Sequence, residues 1–124
     1  MKQIICYLKT LYCYHSDESD GDELFIKLGG KKIWPADKRY VQGSRNSVIP
    51  INLALTDIPS TGGQVILQLW DCDLITNDFL GEFIFAVSGD GQFRSDLRNA
   101  KTNKFYKYTL EFDVHTLRKN KTLL

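Results

Sequence analysis

The segment "LQLWDCDLITNDFLGE", residues Leu67–Glu82, joins an apolar run to a cluster of acidic side chains. Residues 65–70 are apolar and rich in β-forming types, which predicts a central strand, and the alternation in residues 79–87 predicts a second strand. The acidic residues between them are Asp71, Asp73 and Asp78. Neighbouring carboxylates raise one another's pKa and cost stability unless a partner balances them. The end of this strand is therefore expected either to point into water or to bind a cation.

The same period of two continues along the rest of the chain, with turn residues between short runs. It predicts an all-β fold, an antiparallel eight-stranded β-sandwich. Of the seven or eight strands expected, the seven clearest are residues 4–14, 24–28, 31–34, 48–55, 65–70, 79–87 and 105–114. Gly29-Gly30 predicts a hairpin turn, and residues 92–100 predict a short helical turn or a loop. In the first strand, strict alternation places Leu8 on one face and Leu11 with Cys13 on the other.

The composition is that of one globular domain. The chain has 124 residues, of which 43% are hydrophobic and 25% charged, enough for one core. We expect the domain to comprise residues 1–114, followed by a basic tail at residues 115–124. The apolar run of residues 4–8 ends at Lys9, too early for a signal peptide or a membrane span, so we expect a soluble, cytoplasmic protein. The odd number of cysteines, three, predicts free thiols.

The charges are segregated, although the net charge is only +1. Acidic residues group at positions 17–23 and 71–82, and the basic residues are scattered between these groups. Nucleic-acid binding is not predicted, because it requires a continuous basic surface. Aspartate is the short carboxylate that suits loops and hard cations, so the composition directs attention to two acidic loops.

The spacing of these aspartates predicts a metal site. Asp71 and Asp73 lie two residues apart on the same side of an ending strand, and a tight loop can return Asp78 to them. Three carboxylates supply too few oxygens for calcium, which takes six to eight, so a second loop is needed. Asp17 and Asp22 in the segment His15–Lys27 can supply it. Zinc is not expected, because it prefers His and Cys ligands.

Two segments resemble the C2 domain, the calcium- and lipid-binding β-sandwich of the protein kinase C type. "WDCDLITNDFLGE" resembles the third calcium loop of that family, with Asp71, Asp73 and Asp78 in the aspartate positions. "DGDELFIKLGG" is similar to the first-loop segment, with Asp22 in the matching place and Asp17 upstream. The register of the first loop leaves Asp20 and Glu23 as alternatives to Asp22.

The resemblance implies a module that binds calcium (Ca²⁺) between its apical loops and docks to an anionic phospholipid surface or a partner protein. The implied metal ligands are Asp17, Asp22, Asp71, Asp73 and Asp78. Leu74 and Ile75 at the loop tip are expected to contact the membrane or the partner.

A calcium-independent scaffold for protein–protein contact is the alternative, with whichever of Tyr7, Tyr12, Tyr14 and Trp34 are exposed as candidate anchors. An enzyme is not expected, since Cys13 and His15 lie too close along one strand to form a nucleophile–base pair.

Overall fold

A computed structural model describes residues 2–58, 63–87 and 89–118. The strands in these ranges are β1 (Lys2–His15), β2 (Asp22–Leu28), β3 (Lys31–Trp34), β4 (Val41–Gly43), β5 (Ser47–Ile58), β6 (Gln64–Asp71), β7 (Asp78–Ala86), β8 (Gly91–Asp96), β9 (Arg98–Asn99) and β10 (Lys107–Arg118). Residues 119–124, which hold most of the predicted basic tail, lie outside the described residues. Among the described residues no helix has the length and apolarity that a membrane span requires.

The strands form two antiparallel sheets. The first sheet has the order β5-β1-β10-β8, and the second has the order β3-β2-β6-β7-β9, with β4 also paired to β2. The predicted all-β antiparallel sandwich is therefore confirmed. Eight of the described strands have four residues or more, and β4, β8 and β9 are additions to the predicted strands.

The core lies between the sheets, where alternate side chains of facing strands meet. In β10 and just before it the inward residues are Tyr106, Tyr108, Leu110, Phe112 and Val114, all buried as the alternation predicts. Strand β6 contributes Val65, Leu67 and Leu69. The three cysteines are free thiols and are buried, as expected. Burial, together with the negative charge of Asp113, raises the pKa of the Cys6 thiol to about 11.

Strand β1 departs from the strict alternation predicted for it. Its pairing with β10 shifts between Leu8 and Thr10, which marks a β-bulge. A bulge adds one residue and reverses the inward and outward faces beyond it. Leu8, Leu11 and Cys13 are consequently all buried in the core, and the prediction that Leu8 and Leu11 face opposite ways was wrong.

The region around residues 92–100 contains two strands, where the sequence predicted a short helical turn or a loop. Gly91–Asp96 pairs with β10 at the edge of the first sheet, and Ser95 is its one buried member. An edge strand with so little burial lacks the alternating apolar pattern on which the prediction depended. Strand β10 also continues past the expected end at Val114 to Arg118, paired with β1.

Gly81 brings β7 and β9 together. Its φ is +151°, and a Cβ atom there would lie 2.2 Å from the carbonyl oxygen of Arg98. We expect Gly81→Ala to lower the free energy of unfolding by about 2–4 kcal/mol, through backbone strain and displacement of β9. Gly89→Ala is the matched control, because a Cβ atom there would meet nothing within 4 Å. Urea denaturation measures both, and equal stabilities for the two variants would contradict the packing described.

Candidate functional site

Three loops meet at one end of the sandwich, which we call the apical end. They are the β1–β2 loop (residues 16–21), the β6–β7 loop (residues 72–77) and the β9–β10 loop (residues 100–106). Strand pairing brings their ends together, because β6 is hydrogen-bonded to both β2 and β7. The two acidic loops predicted from the sequence are therefore neighbours.

Asp22 is the buried anchor of the β1–β2 loop. Its carboxylate accepts hydrogen bonds from the backbone N–H groups of Asp17 (2.9 Å) and Glu18 (3.1 Å), and from the hydroxyl of Tyr108. Burial first, and the neighbouring Asp22 carboxylate second, raise the pKa of Tyr108 far above that of an ordinary phenol. Tyr108 therefore stays a neutral donor to Asp22.

Gly21 allows the sharp turn that places Glu18 beside Asp22. Its φ is +98°, and its N–H donates to the Glu18 carbonyl oxygen at 3.0 Å. A Cβ atom at this position would lie 2.9 Å from the carbonyl oxygen of Gly43. The loop therefore folds back over the start of β2, bringing a second carboxylate to the apical end.

Asp71, the last residue of β6, is also buried, at 1% exposure. Its Oδ1 accepts a hydrogen bond from the backbone N–H of Glu23 at 2.8 Å, whereas its Oδ2 is buried without a hydrogen-bond partner. Burial raises the pKa of Asp71 to about 8, and the charges of Asp22 and Glu18 add to the effect. Asp71 thus has a buried oxygen that either a proton or a bound cation would stabilise.

Glu18, Asp22 and Asp71 form what we call the carboxylate cluster. One carboxylate oxygen from each lies within 4.8 Å of the others. The donors are all oxygen, which suits a hard cation such as calcium or magnesium. The unpartnered Oδ2 of Asp71 is the observation that makes the cluster fit such an ion. Glu18 was not among the predicted ligands, although it belongs to the acidic run that was noted.

Asp17 and Asp78 lie around a lysine. The ammonium group of Lys101 is 3.3 Å from Oδ2 of Asp17 and also hydrogen-bonds Oδ2 of Asp78. Lys104 is 3.9 Å from Oδ1 of Asp17. The two carboxylates raise the pKa of Lys101 to about 12. We call this arrangement the lysine bridge. The structure therefore brings these two predicted ligands together, but around an internal cation.

The remaining first- and third-loop carboxylates are more open. Asp73 is exposed and lines a cleft of about 450 Å³ with Glu23, Leu74, Ile75 and Thr76. Its N–H donates to the Asn77 side chain at 3.3 Å. Leu74 and Ile75 are 98% and 97% exposed. The alternative first-loop ligand Asp20 is exposed, and its carbonyl oxygen accepts a hydrogen bond from Gln42. Of the three first-loop candidates, Asp22 is the one in the carboxylate cluster.

A basic cleft lies beside the apical end, on the outer face of the second sheet. It has a volume of about 260 Å³ and is lined by Phe25, Lys27, Lys32, Arg39, Cys72 and Asn77. The Lys27 ammonium lies 4.7 Å from the ring centroid of Trp70, within cation–π range. Arg39 donates to the Cys72 sulfur at 3.4 Å. The sequence did not predict this cleft, because its cations come from three separate segments.

The aromatic anchors proposed for a scaffold role divide into two groups. Trp34 is buried in the core and is therefore not among the exposed candidates. Tyr7, Tyr12 and Tyr14 are half-buried on the outer face of the first sheet.

Cys13 is buried in the core while His15 is exposed, and burial raises the pKa of Cys13. Such a thiol is a poor nucleophile.

No protein-family model matches the chain, and no curated protein matches its sequence. Solved structures do. One solved structure, described as the structure of a C2 domain, is 14% identical in sequence to this chain. The match covers 94% of this chain and 98% of the other chain, with a TM-score of 0.58. A C2 domain of plant extended synaptotagmin 1 is 16% identical, covers 96% of each chain, and has a TM-score of 0.58. The chain has the fold of a C2 domain. The C2-type sandwich inferred from two short segments thus extends over nearly the whole chain.

Proposed function

We propose that this C2-type domain is a calcium-binding, non-catalytic module that docks through its apical end to an anionic phospholipid surface. The supporting observation is the buried Oδ2 of Asp71, which has no hydrogen-bond partner and lies among the carboxylates of Asp22 and Glu18. A buried carboxylate in such a place is stabilised by losing its charge to a proton or by gaining a cation. A divalent ion neutralises more of the cluster than one proton does.

The carboxylate cluster favours calcium over magnesium. The carboxylates of Asp22 and Asp71 accept hydrogen bonds from backbone N–H groups, so the fold sets the positions of these two donors without an octahedral arrangement. Calcium tolerates irregular oxygen geometry, whereas magnesium demands an octahedron. Glu18, Asp22 and Asp71 would hold the ion, which when bound would add positive charge to an acidic surface. Phosphate oxygens of a docked lipid would find a complementary charge there.

Two further features support docking to lipid. Leu74 and Ile75 at the tip of the β6–β7 loop are almost fully exposed, and aliphatic side chains in that position gain free energy by entering the headgroup region. The basic cleft offers Lys27, Lys32 and Arg39 to the same surface. A protein docked in this way would be peripheral to a membrane and otherwise cytoplasmic.

Calcium is expected to raise the melting temperature by about 10 °C at roughly one hundred times the dissociation constant, because the ion binds the folded state alone. Asp71→Asn is expected to weaken binding at least about tenfold, since it removes a charged ligand and leaves the shape of the side chain. Isothermal titration calorimetry and thermal unfolding in calcium and in chelator measure these effects.

Asp113→Asn is the matched control for that experiment. The Asp113 carboxylate is 3.7 Å from Lys9 on the outer face of the first sheet, and the substitution makes the same chemical change away from the carboxylate cluster. It is expected to leave calcium binding unchanged. No binding heat in the parent protein, or equal losses in both variants, would refute the proposal.

A calcium-independent scaffold that contacts a partner protein is the second candidate. The observation that favours it is the lysine bridge, which already neutralises Asp17 and Asp78 without a metal. Co-sedimentation with phosphatidylserine-containing vesicles, in calcium and in chelator, separates the two functions. Sedimentation in calcium alone supports the lipid-docking module, and absence of sedimentation in both conditions supports the scaffold.

A further inference from the structure

We propose that the ammonium group of Lys101 is the resident cation of Asp17 and Asp78. In this role Lys101 joins the β1–β2 and β6–β7 loops without a metal and confines divalent-ion binding to the carboxylate cluster. The contacts are direct: Lys101 bonds Asp78 and lies 3.3 Å from Asp17. The number of calcium ions bound per chain rests on the proposed function, whereas the attachment of the two loops by Lys101 does not.

The position of Lys101 is fixed by the fold. Its backbone N–H donates to the Tyr106 hydroxyl at 3.1 Å, and that hydroxyl in turn donates to the carbonyl oxygen of Leu80 at 2.6 Å. The side chain of Asn99 donates to the Tyr106 carbonyl oxygen at 2.8 Å, and the N–H of Ala100 donates to the Leu80 carbonyl oxygen at 2.9 Å. These bonds hold the β9–β10 loop against β7 and fix the backbone from which the Lys101 side chain extends, so the entropy cost of forming the ion pair is limited to the side chain.

The burial of Asp17 makes this ion pair consequential. Most exposed ion pairs contribute little to stability, but the Asp17 side chain is only 7% exposed. Its Oδ1 is buried without a hydrogen-bond partner, and the ammonium group of Lys104 is 3.9 Å from that oxygen. Removing Lys101 would leave a buried carboxylate facing Asp78 with weak compensation, which is strongly destabilising.

The same geometry limits which carboxylates can receive a metal. Asp17 and Asp78 are two of the five aspartates that the sequence nominated as calcium ligands, and both are committed to Lys101. With the ammonium removed, they become an oxygen-lined position next to the carboxylate cluster. A divalent cation is then expected to take the place of the lysine charge.

Lys101→Met tests this inference, because methionine keeps most of the aliphatic stem and removes the charge. In chelator its melting temperature is expected to fall by roughly 5 °C or more. Calcium is expected to restore the loss, and calorimetry should give two ions per chain where the parent binds one. Lys101→Arg retains the charge and is expected to keep the parent stoichiometry.

Lys9→Met is the matched control, since it removes a lysine 3.7 Å from Asp113 on the outer face of the first sheet. It is expected to leave the calcium stoichiometry unchanged and, because the Asp113 carboxylate keeps a buried oxygen without a partner, any stability that it loses in chelator is expected not to return with calcium. If Lys101→Met does not fold in chelator, recovery on adding calcium supports the inference, and failure to recover overturns it.

The two proposals fail in different ways. If the parent binds no calcium but Lys101→Met loses stability in chelator and regains it with calcium, the proposed function is wrong and the role of Lys101 stands. If the parent binds calcium through Asp71 and Lys101→Met matches it in stability and stoichiometry, the role of Lys101 is wrong and the proposed function stands.

Discussion

In the presence of a metal chelator, the free energy of unfolding is expected to fall as the pH rises from about 4 to about 8. The cause is Asp71, whose pKa is raised from 3.8 to about 8 by burial and by the neighbouring carboxylates. Below pH 4 the side chain is protonated in both the folded and the unfolded chain. Between the two pKa values the unfolded chain releases this proton and the folded chain keeps it, so the unfolded state gains stability with rising pH.

The size of this effect is a substantial part of the stability of a small domain. Each unit of pKa difference corresponds to about 1.4 kcal/mol of unfolding free energy. Relaxation of the loops makes the actual change smaller than the pKa difference alone would give. We expect a loss of about 3 kcal/mol across the range. Denaturant titrations at successive pH values in chelator measure it.

Asp71→Asn isolates the contribution of this one group, because asparagine has nearly the same shape and does not ionise. Its stability at neutral pH is expected to exceed that of the parent by about the same 3 kcal/mol, and the difference between the two proteins is expected to vanish near pH 4. Carboxylates remote from the carboxylate cluster titrate equally in both proteins and cancel in the comparison, so the difference reports Asp71 together with its neighbours Glu18 and Asp22. Parallel pH profiles for parent and variant would contradict the burial of an unpaired Asp71 oxygen.

Reversing two charges in the basic cleft is expected to abolish co-sedimentation with phosphatidylserine-containing vesicles in calcium. Lys27 and Lys32 both line the cleft. A lysine near an anionic membrane contributes about 1 kcal/mol, so Lys27→Glu with Lys32→Glu changes binding by about 4 kcal/mol, roughly a thousandfold. The sedimented fraction at fixed lipid concentration measures the loss.

Arg94→Glu with Lys107→Glu is the control for this effect, since it makes the same change in net charge on the first sheet. Arg94 lies over the ring of Tyr12 and Lys107 lies over that of Tyr14, away from the cleft. This pair is expected to retain most of the binding. Equal losses from the two double variants would mean that total charge, and not the cleft, governs attraction to the membrane.

The sequence was most informative where burial has a strict period. In β10 the alternation from Tyr106 to Val114 predicted the buried apolar side chains, because both neighbouring strands and the opposite sheet require that spacing, although Thr109 on the other face is buried as well. In β1 the same reasoning failed beyond Leu8. The bulge in its pairing with β10 leaves no mark in the composition of the strand.

The candidate site was likewise predictable from the sequence only in part. That the Asp22 and Asp71 loops meet was predictable, because an apolar strand ending in acidic residues and a second acidic loop fit one resemblance. The sequence also suggested Asp73, which is exposed, and gave no sign that Glu18 would complete the cluster in its place. Spacing along a strand fixes a side chain's face, whereas the path of a loop depends on turns such as the one at Gly21.

By itself, the sequence determined the sandwich, its inward faces in the regular strands and the convergence of two acidic loops, since these follow from local periodicity and from the ends of adjacent strands. The tertiary structure alone decided which carboxylates remain without a partner. Lys101 lies 84 residues from Asp17 and 23 from Asp78, and Tyr108 lies 86 residues from Asp22. Charge compensation acts through space over a few ångströms, and such distances are set by the packing of strands that are remote in the chain.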